Sequence, residues 1–398
     1  MDVQKRIKDL SRTYKSELIK IRRYLHQNPE LSFQEKNTAK FICEYLDKQN
    51  IPYQSKIAKT GILAVIEGKK PNKNIIALRA DMDALPVLEE NKIQYKSQNE
   101  GVMHACGHDV HMASLIGSAR ILKEISDSFS GTVLIIFQPG EEKLPGGAKL
   151  MMEEGIFKRY EPDCVIGQHV DPSLEVGNVG FGKGKYMAST DEIYIKVKGK
   201  GGHAAMPHLL KDPVIMASHI ILALQQLVSR KADPMVPNVL SFGKFIADGA
   251  TNVIPDEVTI EGTFRTYNEN WRGKMHEHIV NTVKDVSSAF GGSCEVEIVK
   301  GYPMLVNDVS LTEKVMSFTR DFIGDRNVTD LKPQMISEDF AYFAQKYPSV
   351  FYRLGTMNAE KNIISSLHTP TFDVDENVFG FASGIMSWMA YNLMSEIK

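Results

Sequence analysis

Apolar residues recur on a helical period near residues 5 to 49, Leu18, Ile21 and Leu25 among them, and Pro29 within HQNPELSF forces a break in that stretch. Short, uninterrupted apolar runs follow: GILAVIEG, NIIALRA, TVLIIF and CVIGQHV read as strands, while ASLIGSARILKEI and GAKLMMEEGI read as helices. Strands apolar on both faces, alternating with helices, predict an α/β domain with a largely parallel sheet. From about Asp191 the pattern opens into alternation, with Ile193, Ile195 and Val197 on one face of DEIYIKVKG, as a strand with one wet face requires. The order there is strand (191 to 198), helix (212 to 230), strand (238 to 246), strand (257 to 266), helix (270 to 289), strand (294 to 300), which predicts an inserted ferredoxin-like β-α-β-β-α-β unit. The α/β character returns after Tyr302 and runs to a final helix near 376 to 396. The expected division is an α/β domain in two parts, 1–187 and 302–398, around an inserted domain at 188–301.

Composition adds exclusions. With 43% apolar and 24% charged residues in 398, the chain is neither disordered nor collagen-like nor a coiled coil. Forty-seven Lys plus Arg against 49 Asp plus Glu, with no long run of one sign, leaves no footprint for nucleic acid or an anionic membrane, so a small-molecule partner is expected. The opening MDVQKRIKDLSRTYKSELIK has no apolar core of a signal peptide, and PVIMASHIILALQQLV is broken by His219 and two glutamines; a cytoplasmic protein is expected. Cys43, Cys106, Cys164 and Cys294 are too few and scattered for a disulfide framework. Only Cys106 stands in a segment rich in Gly and His.

In an open α/β sheet, ligands bind beyond the carboxyl ends of the strands. NIIALRA is followed by Asp81 and Asp83, TVLIIFQPG by Glu141 and Glu142, and CVIGQ by His169, while HACGHDVH supplies His104, Cys106, His108, Asp109 and His111 before a helix. Carboxylates at such strand ends are costly unless paired or bound to a cation, so this convergence favours a metal site over a solvated surface. Cys, His and carboxylate together suit Zn and neighbours such as Mn, Co and Ni rather than Mg or Ca. Cys106 near a helix start should have a depressed pKa and ligate as thiolate; its rival role is a nucleophile paired with His108 or His169. Two ions can be held if one ligand bridges, and Glu141 and Glu142 can then divide the work of general base and ligand.

RRYLHQNPELSFQE, ALRADMDALPV, MHACGHDVHMASLIG, FQPGEEKLPGGA, GQHV, GKGGHAAMPH, TNVIPDE, GTFR, SEDFAYF and SLHTPTFDVDE together resemble the amidohydrolase branch of the aminoacylase and glutamate-carboxypeptidase family of metallopeptidases. That branch includes N-acyl amino acid, hippurate and auxin-conjugate hydrolases. The resemblance covers nearly the whole chain in the family's order and implies two divalent ions per subunit, Zn or Mn first and Co or Ni next, held by Cys106, His108, Glu142, His169 and His368, with Glu141 as general base. Asp81 stands where the wider family has a metal-binding His, Asp83 matches an Asp that orients a ligand, and His104, Asp109 and His111 are expected to be structural or to support the ligands from behind. The inserted domain is implied to pair with its copy in a homodimer, His203 serving the partner's site by stabilising the oxyanion, with Asn252 and Arg265 holding the substrate carboxylate. Val258, Ile260 and Phe264 share one strand face, which by itself puts Arg265 on the accessible one. The expected activity is hydrolysis of the amide of an N-acyl amino acid or similar small conjugate. The alternatives are a dipeptidase or aminopeptidase using the same metals, and a non-catalytic metal- or peptide-binding protein, against which the retention of Glu141 argues.

Overall fold

A computed structural model describes residues 2–396, the side chains of 70–73 and 396 excepted. The chain divides into two compact units, one running to Tyr186 and taking in Val306–Lys332 and the residues from Asp339 on, the other made of Met187–Leu305 and Pro333–Glu338. The short segment Pro333–Glu338, placed with the first domain on sequence grounds, goes with the second unit.

Helix α1 (Val3–Gln27) begins where the Asp2 side chain accepts from the Gln4 and Lys5 amides, and buries Ile7, Tyr14, Leu18, Ile21 and Leu25 along one stripe. It stops short of Pro29, and α2 (Lys36–Lys48) follows. The first unit is built on an eight-stranded sheet. Its early strands are β1 (Tyr53–Ile57), β2 (Gly61–Glu67), β3 (Lys70–Asp81), β4 (Ser130–Gln138), β5 (Cys164–Glu175) and β6 (Val179–Phe181). The order is β1-β2-β4-β3-β5, then Ser349–Met357, β6 and Val328–Asp330. The centre, β4 through Ser349–Met357, is parallel, while β1 with β2, β2 with β4, and Ser349–Met357 with β6 are antiparallel. The apolar runs are continuous because both faces are covered: Val133 to Phe137 in β4 are all fully buried. Helix α3 (His108–Glu124) packs with α1 and the C-terminal helix Ala382–Glu396. A Cβ on Gly117 of α3 would come within 2.7 Å of Leu18 and 2.8 Å of Ser383, so this close packing needs glycine.

The second unit is a four-stranded antiparallel sheet in the order Asn238–Ile246, Glu257–Thr266, Asp191–Lys198, Ser293–Lys300. Its helices, Pro213–Gln226 and Glu269–Ala289, cover one face, where Ile193, Ile195 and Val197 meet Met216, Ile220 and Ile279. This is the ferredoxin-like arrangement, and the alternation read from DEIYIKVKG marks its covered side. No described helix is long and apolar enough to cross a membrane.

Candidate metal centre

The carboxyl ends of the central strands and the start of α3 converge in the first unit. Gly107, at φ +80°, turns the chain into α3, and a Cβ there would lie 2.5 Å from Val170. This turn sets Cys106 and His108 side by side. Cys106 Sγ is 3.3 Å from His169 Nε2 and 3.3 Å from His368 Nε2. Glu142 Oε1 lies 3.3 Å from His368 Nε2 and 3.9 Å from His108 Nε2. Two groups able to hold a cation therefore share Cys106, one with His108 and His169, the other with Glu142 and His368; a third joins His108 to Glu141 and Glu142.

The hydrogen bonds show which nitrogens face inward. His108 Nδ1 donates to the Asp83 carbonyl at 2.8 Å and His169 Nδ1 to the Val170 carbonyl at 2.7 Å, which leaves each Nε2 turned to the cluster. His108 Nε2 and Glu142 Oε1 are buried without a hydrogen-bond partner, the condition expected of ligand atoms awaiting an ion. His111 differs: its Nε2 accepts from the Val170 amide at 2.9 Å, so its Nδ1 carries the proton donated to Asp81 at 2.6 Å. Asp81's other oxygen takes Arg79 at 2.6 Å, so both of its oxygens are committed to the protein. Asp81 and His111 form a brace beneath the site.

The electrostatics call for positive charge. Burial opposes charge on His108, yet Asp81, Asp83 and Glu142 hold its imidazolium up to about 10. Burial pushes His169 well below the ordinary imidazole range, keeping it neutral as a ligand must be. The depressed thiol expected at Cys106 is not what the protein alone provides. Burial, then the charges of Glu142 and Glu141, push it well above its usual value, outweighing the helix start. A bound cation reverses that balance by deprotonating a coordinating thiol.

Asp83 organises the turn that carries the two glutamates. Its oxygens accept from the Glu141 and Glu142 amides at 3.0 Å each and from Ser32 Oγ at 2.6 Å. Burial raises its pKa, but the hydrogen bonds from His108, Ser32 and the Glu142 amide bring it below the usual range. Glu141 is 6% exposed beside these groups. His368 arrives from a loop, is held at φ +61°, and its amide donates to Ala105 O at 2.8 Å. Of the remaining candidates, Asp109 binds buried Arg22 at 2.7 Å and His26 at 2.8 Å, away from the cluster, and both nitrogens of His104 lack partners. Sequence reasoning assigned no role to Ser32, Glu35 or Arg79; the signal for Arg79 was a lone cation inside the apolar run NIIALRA.

In the second unit His203 pairs with Val253 across a short two-stranded ribbon. Its Nδ1 accepts from the Ala205 amide at 3.1 Å, which leaves Nε2–H, in the neutral ring, as an exposed donor. Asn252 is also exposed, and its carbonyl accepts from Ala204 at 3.0 Å. A Cβ on Gly201 would lie 2.2 Å from the Ile254 carbonyl, the close backbone approach that the Gly pair before His203 permits. Val258, Ile260 and Phe264 are fully buried, and Arg265 on the other face is half-buried with one N–H on Met335 O at 3.1 Å.

The model of peptidase family M20/M25/M40 matches residues 77–385. An N-acetyl-L-cysteine deacetylase of Bacillus subtilis is 39% identical over 96% of this chain and 89% of its own length. An N-acyl-L-amino acid amidohydrolase of Geobacillus stearothermophilus is 42% identical over 76% of this chain and 80% of its own. Among solved structures, the YXEP protein of Bacillus subtilis, described as a dinuclear metal-binding peptidase of family M20, superposes with a TM-score of 0.82 at 33% identity, covering 97% of this chain and 99% of its own.

Proposed function

This chain belongs to peptidase family M20/M25/M40, and from that premise we infer that it is a metal-dependent amidohydrolase, cleaving the amide of N-acyl amino acids or similar small conjugates. The observation that carries this reading is the cluster centred on Cys106 Sγ, 3.3 Å from both His169 and His368, with Glu141 held beside it by Asp83. Cys106, His108, Glu142, His169 and His368 would hold two divalent ions, Cys106 being common to both groups, and this mixed S, N and O set suits Zn or Mn, with Co or Ni next. Bound there, the ions supply Lewis acidity for the scissile carbonyl and for the attacking water.

The protein's own groups do the rest. Glu141 is assigned as the base that takes the water's proton and returns it to the leaving nitrogen. Asp83 fixes the amides of both glutamates and, through its carbonyl, the ring of His108. His203, with Nε2–H exposed, is assigned as the donor to the developing oxyanion, and Asn252 and Arg265 as holders of the substrate carboxylate. In this reading His203 serves the site of a second subunit in a homodimer. Support comes from exposed Ile215 and Leu222 on the helix Pro213–Gln226 and exposed Phe245 and Ile246 on the edge strand Asn238–Ile246, an apolar helix face and a sheet edge of the kind a second copy covers.

The deciding experiment assays the metal-reconstituted protein against acetyl, benzoyl, fatty-acyl and indole-acetyl amino acids beside free dipeptides, with a chelated control. Acyl substrates are expected to be cleaved and chelation to abolish turnover; preference for dipeptides would move the assignment to a peptidase.

A further inference from the structure

The segment that braces the catalytic turn has a second side. Ser32 bonds Asp83, the Phe33 ring lies against Gly140, where a Cβ would come within 2.4 Å of it, and Glu35 Oε1 accepts from the Gly140 amide at 2.8 Å. Phe33 also lines a cavity of ≈ 530 Å³ formed with residues of α2 and β1, a volume in the range of small-molecule sites.

The cavity combines an apolar floor with a cationic rim. Phe33, Ala39 and Cys43 form the floor, and Lys36, Lys40, Lys56 and Lys59 stand around it, all four exposed. Among the described residues Lys36, Lys56 and Lys59 have no carboxylate partner, and Lys40 reaches only Glu44, at 3.8 Å. Lys59 Nζ sits over the Phe33 ring, 5.1 Å from its centroid. The turn that presents this rim is strained: Lys56, Ala58 and Lys59 take φ of +64°, +47° and +80° beside an irregularity in β1, although none is glycine. Non-glycine residues persist in that region only where the surroundings impose it, and such positions gather at ligand sites. Four cations over an apolar floor disfavour a cationic or purely apolar occupant and match a molecule with one anionic end and an apolar body.

We propose that this cavity binds small amphipathic monocarboxylates, apart from the metal centre, and that an occupant displaces Phe33 and so disturbs the turn carrying Glu141 and Glu142. The apolar body packs on Ala39 and Cys43 against the displaced Phe33 ring, and the carboxylate is shared among the lysines. Because Phe33 packs on Gly140, its displacement loosens the turn and lowers turnover.

The test uses the metal-loaded full chain with decanoate as probe, and reads the rate of Cys43 alkylation by peptide mass. Saturating decanoate is expected to slow alkylation of Cys43 at least several-fold while leaving that of half-buried Cys294 unchanged, and decyltrimethylammonium is expected to give no protection. Lys56→Glu with Lys59→Glu, both at exposed positions where Glu is no more strained than Lys, should weaken the apparent affinity by roughly tenfold or more. Turnover of an acyl amino acid should fall at least twofold at saturating decanoate in the wild type and not in the double variant. Failure to protect Cys43, or equal protection in the folded double variant, overturns the site. Protection with unchanged kcat overturns the link to the turn, and inhibition that persists in the double variant places the inhibitory decanoate at the metal centre and overturns the same link.

Discussion

Glu141 and Glu142 are adjacent and share one anchor, Asp83, yet their surroundings differ. Glu142 Oε1 is a buried orphan 3.3 Å from His368 Nε2, whereas Glu141, among the described residues, shares no candidate ligand group with Cys106, His169 or His368. The expected division is that Glu141→Gln retains metal but loses kcat by about 100- to 10,000-fold, the usual worth of a general base, while Glu142→Gln loses metal. Metal content by mass spectrometry beside kcat decides it; release of metal by Glu141→Gln with retention by Glu142→Gln exchanges the two roles. The same residue-level reasoning keeps Asp81 and His111 outside the proposed ligand set, because both nitrogens of His111 and both oxygens of Asp81 already bind protein groups.

At the scale of elements, the turn between β4 and α4 (Gly147–Glu153) fixes the geometry of the centre. Gly140 takes φ +57° under the Phe33 ring, so Gly140→Ala meets both backbone strain and a steric clash. We expect kcat to drop on the order of 100-fold, as misplacement of a catalytic group by about 1 Å does, together with a lower Tm; full activity in this variant would show that the turn tolerates displacement. The same turn is tied to Glu35, whose carboxylate accepts from the Phe33 and Gly140 amides and from Thr60 Oγ1. Burial, then the charge of Asp83, push Glu35 up to about 7. The folded state therefore holds this proton more tightly than the unfolded chain. Its contribution is fully present below the ordinary value of 4.5 and is lost as pH rises through 7, a change on the order of 3 kcal/mol. The Tm difference between wild type and Glu35→Gln should shift against the wild type from pH 5 to pH 8. A difference that does not change with pH would show that Glu35 is ionised throughout.

For the whole molecule, the assignment of His203 to a partner's site makes a quantitative prediction. Homodimers of Glu141→Gln or of His203→Ala should each be nearly inactive. When the two are mixed and refolded together, about half of the dimers are hybrids, each with one site that has both residues, so activity should return to roughly a quarter of wild type. Hybrids shown to be present, yet no more active than their parents, would place His203 within its own chain or outside the reaction.

The sequence alone determined the elements and most of the chemistry. Local period separates a two-faced apolar strand such as TVLIIF from the alternating DEIYIKVKG, and the strand-end rule locates Asp83, Glu141, Glu142 and His169 without further help. What depends on contacts between distant segments was decided only by the tertiary structure. His368 lies in a loop without period and reaches Cys106 across 262 positions, so the family likeness alone pointed to it. Asp81 and Asp83 look alike in ALRADMDALPV, and only the partners supplied by Arg79, His111 and Ser32 separate a brace from an anchor. The Cys106 thiol shows the same limit with the opposite sign. A helix start argues for a low pKa, but burial beside Glu141 and Glu142 raises it, because desolvation and summed charge belong to the packed site and not to the local sequence.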